Sequence, residues 1–412
     1  MISFEKFQLE NGLTVLVNTD KSTQMVAMNI LYNVGARNED PLKTGFAHLF
    51  EHLMFGGSIN IPDYDKPLQL AGAENNAFTN NDFTNYYLTI PSHNVETAFW
   101  LESDRMLSLA FSERSLEVQR QVVVEEFRQR YLNQPYGDAW LKLRPLAFKV
   151  HPYQWATIGK EISHIESASL IDVKDFFKRF YHPGNAVMAL SGNISVDKAK
   201  ELSEKWFAPI PSSAKAEKNW KEEPKQTEAR ELVLEASVPY PAIYKAWHCG
   251  SRTDGTFHAT DLVTDVLSAG KSSRLYNALV KDQQLFSSIN AYTMGDMDPS
   301  LVVAEGKVRE GVDIHSANKA LEEEVEKLAS HLISSDELER IHNKAESSNA
   351  FSEMNIANRA LNLCFFETIG DAKEVNEQVK IYRTTTPEMI RSVAENIFKK
   401  ENCSTLTYIP AK

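Results

Sequence analysis

Cysteine is scarce: Cys249, Cys364 and Cys403 are the three in 412 residues, widely spaced and without a CxxC pair. This excludes a disulfide framework and a thiolate zinc site, and it fits a reducing compartment. No run of about 18 apolar residues occurs, so a helical membrane span is not expected. Basic charge is in deficit, 44 Lys and Arg against 56 Asp and Glu. The net charge of −12 offers no positive field for phosphates, so nucleic acid is not an expected partner. The opening stretch MISFEKFQLENGLTVLV puts Glu5 and Glu10 where a secretory signal carries a basic and then an apolar region, and it reads as strand and turn. As written, the chain is expected in the cytoplasm; a periplasmic protein whose export signal has been removed reads the same way. What is present, 42% hydrophobic and 24% charged residues, is ordinary globular composition over a length suited to two or three domains.

The clearest break in composition is Ser212 to Glu231, a polar, charge-rich run with Pro224 and almost no apolar periodicity. It divides the chain into a domain at 1–211, a linker at 212–228 and a domain at 229–412. The halves echo each other. In the first, strand-like MVAMNILYNV reaches Gly35-Ala36-Arg37, and the polar NEDPLKTG leads into helix-like FAHLFEHLM. In the second, PAIYKAWHC reaches Gly250-Ser251-Arg252, and TDGTFH leads into ATDLVTDVLSAG. Counted from the glycine, His48, Glu51 and His52 meet Val263, Val266 and Leu267, so only the first half carries ionisable groups on this helix. Strand-like NYYLTI and SLVVA alternate with amphipathic stretches at 97–110, 116–132, 317–333 and 337–353. The expected fold is α+β: two homologous domains, each a mostly antiparallel sheet packed with helices.

His48-Leu49-Phe50-Glu51-His52 is the sharpest local feature. Two histidines four apart on a helix project from one face a turn apart, which lets two imidazoles share one metal ion. Glu51, on the same side, is placed to reach a water at the metal rather than the metal itself. Composition alone gives roughly 0.02 chance occurrences of this pattern in such a chain, and the plain alternative is a surface helix with two histidines. A catalytic zinc needs a third protein ligand. Residues 119–128 offer adjacent Glu125 and Glu126, which point about 100° apart on a helix, so only one of them can face a metal. The alternative there is a solvated acidic face.

In these motifs the chain resembles the inverzincins, zinc peptidases with the inverted HxxEH motif that include pitrilysin, insulysin and the mitochondrial processing peptidase. The resemblance runs through Gly35-Ala36-Arg37, GFAHLFEHLMFGGS, AENNAFTNNDFTNYY, VVVEEFRQRYLNQPYG, YHPGNAVMALSGNI and, in the second half, SAGKSSRLYNALV. It is similar to the shorter bacterial and processing-type catalytic members, because the glycine-rich loop of the noncatalytic processing subunit is missing between Ser268 and Ser273. The resemblance implies one zinc per chain on His48, His52 and Glu126, with Glu51 as general base. Gln119 departs from a glutamate that many members carry there, so it can hydrogen-bond but adds no charge.

Further implications follow from the same likeness. Asn76, Ala77 and Phe78 match an edge strand to which an extended substrate adds as another strand, a mode in which backbone hydrogen bonds accept many sequences. Arg274 and Tyr276 are the candidates for substrate contacts from the second half. The implied function is a zinc metalloendopeptidase acting on peptides or unfolded protein segments. The chain would form half of a clam-like chamber, completed as a homodimer or as a heterodimer with a related subunit. The acidic net charge suggests basic peptides, although a solvated surface gives the same count. A noncatalytic scaffold or peptide-binding subunit of the same fold is the alternative, distinguished by zinc-dependent turnover.

Overall fold

The computed structural model describes residues 1–214 and 217–411; residues 215 and 216 of the expected linker lie outside the described residues. Two sheets form. The first takes β1 (Glu5–Gln8), β2 (Thr14–Thr19), β3 (Met25–Tyr32), β4 (Glu74–Thr79), β5 (Thr84–Pro91) and β6 (Ala186–Gly192) in the order β1-β2-β6-β3-β5-β4. The second takes β7 (Arg230–Ala236), β8 (Ala242–Cys249), β9 (Phe286–Thr293), β10 (Ser300–Val308) and β11 (Cys403–Pro410) in the order β7-β11-β8-β10-β9. In each sheet one parallel pair, β2 with β6 and β7 with β11, is followed by three antiparallel pairings. The second sheet thus repeats the first without its outermost strand β1, and the α+β reading with internal duplication matches the architecture.

The chain divides into two compact units that depart from the expected cut into 1–211 and 229–412. One unit comprises Met1–Phe127, Trp155–Trp220 and Ala350–Glu377; the other comprises Arg128–Gln154, Lys221–Asn349 and Gln378–Lys412. Each takes a segment from the other half of the sequence. The reason lies in the sheets, whose central strands are apolar on both faces and need a helix layer on each. In β8, Ala242, Tyr244 and Ala246 face one core, while Ile243 and Trp247 face another, as period-2 alternation dictates. The first of these cores is closed by the helix Ala139–Ala147 through Ala139, Leu143 and Ala147. In the other unit the helix Ile356–Ile369 lies on β3 and β6, with Ala360, Leu363, Cys364 and Phe366 buried.

Candidate metal centre

The helix Phe46–Leu53 owes its placement to Gly45, whose φ of +88° is left-handed and whose added Cβ would stand 2.7 Å from the Ile158 carbonyl oxygen. Phe46, Ala47, Leu49, Phe50 and Leu53 are buried, each large side chain contributing roughly 1.5–3 kcal/mol. Phe50 stacks near Phe176 and Tyr181, with ring centroids 4.9 and 5.1 Å away. This apolar grip turns His48, Glu51 and His52 to the opposite, half-buried face. Against the helix packs a second one, Glu113–Phe127, held by buried Leu116, Val123, Val124 and Phe127. It opens into a wide π turn at Arg128–Leu132, a feature that often borders functional sites. Glu126 is the last residue but one before that turn.

Glu126, and not Glu125, meets the histidines. Its Oε2 lies 3.4 Å from His52 Nε2 and 3.7 Å from His48 Nε2, and one ligand atom from each of the three residues lies within 4.8 Å of the others. Atoms bound 2.0–2.1 Å from a tetrahedral zinc stand about 3.3 Å apart, so the two shorter separations already approach that geometry. The donor set of two imidazole nitrogens and one carboxylate oxygen suits zinc and leaves a position for water. The three side chains are 13–25% exposed, which keeps the site open to solvent. Glu125 is exposed, and Gln119 sits half-buried two turns back on the Glu126 helix.

Glu51 does not join the ligands. Its Oε2 accepts a hydrogen bond from Thr79 Oγ1 at 2.6 Å. Burial pushes the Glu51 carboxyl above the usual range, and the Thr79 bond pulls it back. Thr79 closes β4, the edge strand that pairs with β5 alone, in the register Asn76 with Tyr87, Ala77 with Tyr86 and Thr79 with Thr84. Asn76 is exposed, and its Oδ1 accepts the Ala77 N–H, while Ala77 and Phe78 are half-buried. The expected substrate edge and the HxxEH helix therefore meet at Thr79, which sequence reasoning missed. The signal was present, since alternation puts Thr79 on the face of Ala77.

Arg274 and Tyr276 belong to the other unit. Arg274 donates from Nε and Nη2 to the two Glu337 oxygens at 2.7 and 2.9 Å, and Tyr276 opens a π turn, Tyr276–Asp282. In that unit the interval from Gly35 to Gly250 carries the three ligand positions onto Val263, Leu267 and Ile341. These three are buried in a single apolar core. At these offset positions the second half carries hydrocarbon side chains where the first carries imidazole and carboxylate.

The chain is similar to known proteins in sequence and in fold. The model of the insulinase family, peptidase family M16, matches residues 14–144, which include His48, Glu51, His52 and Glu126. A model described as the peptidase M16 inactive domain matches residues 167–345, which include none of them. The chain is similar to the zinc protease PqqE of Helicobacter pylori, 31% identical over 347 residues that cover 82% of this chain and 77% of that one. It is also similar to the mitochondrial-processing peptidase subunit beta of Saccharomyces cerevisiae, 26% identical over 209 residues, 50% of this chain and 45% of that one. Among solved structures, a protease from Helicobacter pylori matches with a TM-score of 0.95 and 27% identity over 100% of both chains. No helix among the described residues is long and apolar enough to cross a membrane.

Proposed function

Because the chain belongs to peptidase family M16, the insulinase family, we propose that it is a zinc metalloendopeptidase acting on peptides or unfolded segments in extended form. The observation that carries this reading is the convergence of His48, His52 and Glu126 on one small volume with Glu51 beside it. His48, His52 and Glu126 would hold the zinc, which when bound would supply Lewis acidity towards a water and a substrate carbonyl. Glu51 takes the proton from the attacking water and passes it to the departing amine, a role served by a carboxyl that burial makes more basic. Thr79 holds the Glu51 carboxyl in place through its hydroxyl.

The exposed edge β4 receives the substrate as an added strand, with Asn76, Ala77 and Phe78 along it. Arg274 and Tyr276 are further proposed substrate contacts. The working assembly is a dimer, of two copies or with a related subunit, consistent with a relative named as a subunit. A single species at twice 46.6 kDa in sedimentation would favour two copies. The reading is tested by cleavage of a quenched fluorescent peptide library before and after chelation. Activity should vanish with the metal and return with added zinc; cleavage indifferent to chelator would overturn it.

A further inference from the structure

The helix that carries His48, Glu51 and His52 begins at a glycine, which has no side chain to cap the free N–H groups of the first turn. Glu39, six residues upstream, supplies the missing acceptors. Its Oε2 accepts the Gly45 N–H at 2.9 Å and its Oε1 the Ala47 N–H at 2.8 Å. The Trp155 indole donates to Oε2 at 3.1 Å and to the Ala36 carbonyl at 3.0 Å. Glu39 is 6% and Trp155 2% exposed, so the clamp is closed to water. The turn that bears Glu39 is itself tied to the residues just beyond β4: Ala36 N–H donates to Asn80 O, Arg37 N–H to Asn81 O, and Arg37 pairs with Asp82 at 2.9 Å.

Resting on the proposed peptidase site, we infer that Glu39 is a positioning residue for the reaction: its carboxyl locks the first turn of the metal helix to the end of the substrate edge. The helix then has one direct tie to β4, Thr79 to Glu51, and one indirect tie through Glu39 to the turn that bonds residues 80–82 just beyond that strand. Burial pushes the Glu39 carboxyl up to about 8, while its N–H donors pull the other way. In both protonation states each oxygen keeps a lone pair for its donors. An amide nitrogen has none, so glutamine cannot replace the clamp.

The test uses the full chain with Glu39→Gln, and with Ile90→Val in the core of β5 as a control of mildly lowered stability. Zinc-loaded Glu39→Gln should lose about tenfold in kcat with KM within twofold, while Ile90→Val loses neither. In metal-free protein, exchange of the 45–49 amides, followed by mass spectrometry, should accelerate in Glu39→Gln alone. Unchanged exchange overturns the clamp; faster exchange with unchanged kcat overturns the positioning role and leaves a plain cap. An equal loss of kcat in Ile90→Val assigns the effect to stability and also overturns it. If wild type alone cleaves nothing, it is not by itself the working peptidase, and zinc affinity decides this one. Roughly tenfold weaker zinc in Glu39→Gln then supports it, and unchanged affinity contradicts it.

Discussion

Thr79 Oγ1 donates to Glu51 Oε2 at 2.6 Å, so the last residue of the edge strand holds the carboxyl that stands beside the metal ligands. A hydrogen bond to a charged group is worth about 1.5–3 kcal/mol, and about 1.4 kcal/mol is tenfold in rate. Thr79→Val, which keeps the shape and deletes the hydroxyl, should lower kcat by about 10- to 100-fold with little change in KM. Thr79→Ser should retain most of the rate. Steady-state kinetics on one peptide decide it, and a valine variant at wild-type kcat would show that Glu51 needs no such tether.

The ligand set makes a separate prediction for metal content. His48→Ala, His52→Ala and Glu126→Ala should each lose zinc after dialysis, whereas Glu125→Ala should keep about one per chain. Metal analysis by plasma emission reads this directly. Zinc retained in Glu126→Ala and lost in Glu125→Ala would exchange their roles.

In the second unit the corresponding positions are core. Ile341 is fully buried beside Val263 and Leu267, so Ile341→Glu places an unpaired carboxylate in hydrocarbon. The expected cost is about 4 kcal/mol or more, seen as a large fall in the urea midpoint. A midpoint unchanged from wild type would mean that this core admits water.

How much of this was legible depended on the range of the contacts involved. His48, Glu51 and His52 lie within one turn and a fraction, so helical spacing alone brought them together. Glu125 and Glu126 stayed equivalent until resemblance chose between them, because the choice is made by the packing of the Glu113–Phe127 helix through Val123, Val124 and Phe127. Strand and helix positions followed from alternation: NYYLTI falls within β5, SLVVA begins β10, and the helix expected at 116–132 runs from 113 to 127 before its π turn. The exchanged segments were invisible, because an amphipathic helix such as Ala139–Ala147 encodes an apolar face and not the sheet it will meet. Glu39 was equally hidden, since a cap six residues upstream of Gly45 has no local signature.

Arg274 and Glu337 give a pH-dependent prediction. The hydrogen bonds from Arg274 hold the Glu337 carboxyl down at about 2, so the folded state gives up this proton more readily than the unfolded chain. Its stabilisation is complete above about 4.5 and is lost as pH falls from there towards about 2. Arg274→Ala should flatten that part of the stability profile in urea unfolding. If Arg274 also touches substrate, the same variant raises KM several-fold; a flattened profile with unchanged KM assigns it to the second unit's structure alone.

The most direct measurement compares Glu51→Gln with wild type for zinc content and peptide turnover in the same preparations. With Glu51 moving protons and His48, His52 and Glu126 holding the metal, the variant should retain about one zinc per chain and lose essentially all cleavage. A variant that still cleaves, or one that loses its zinc, would contradict that division of labour.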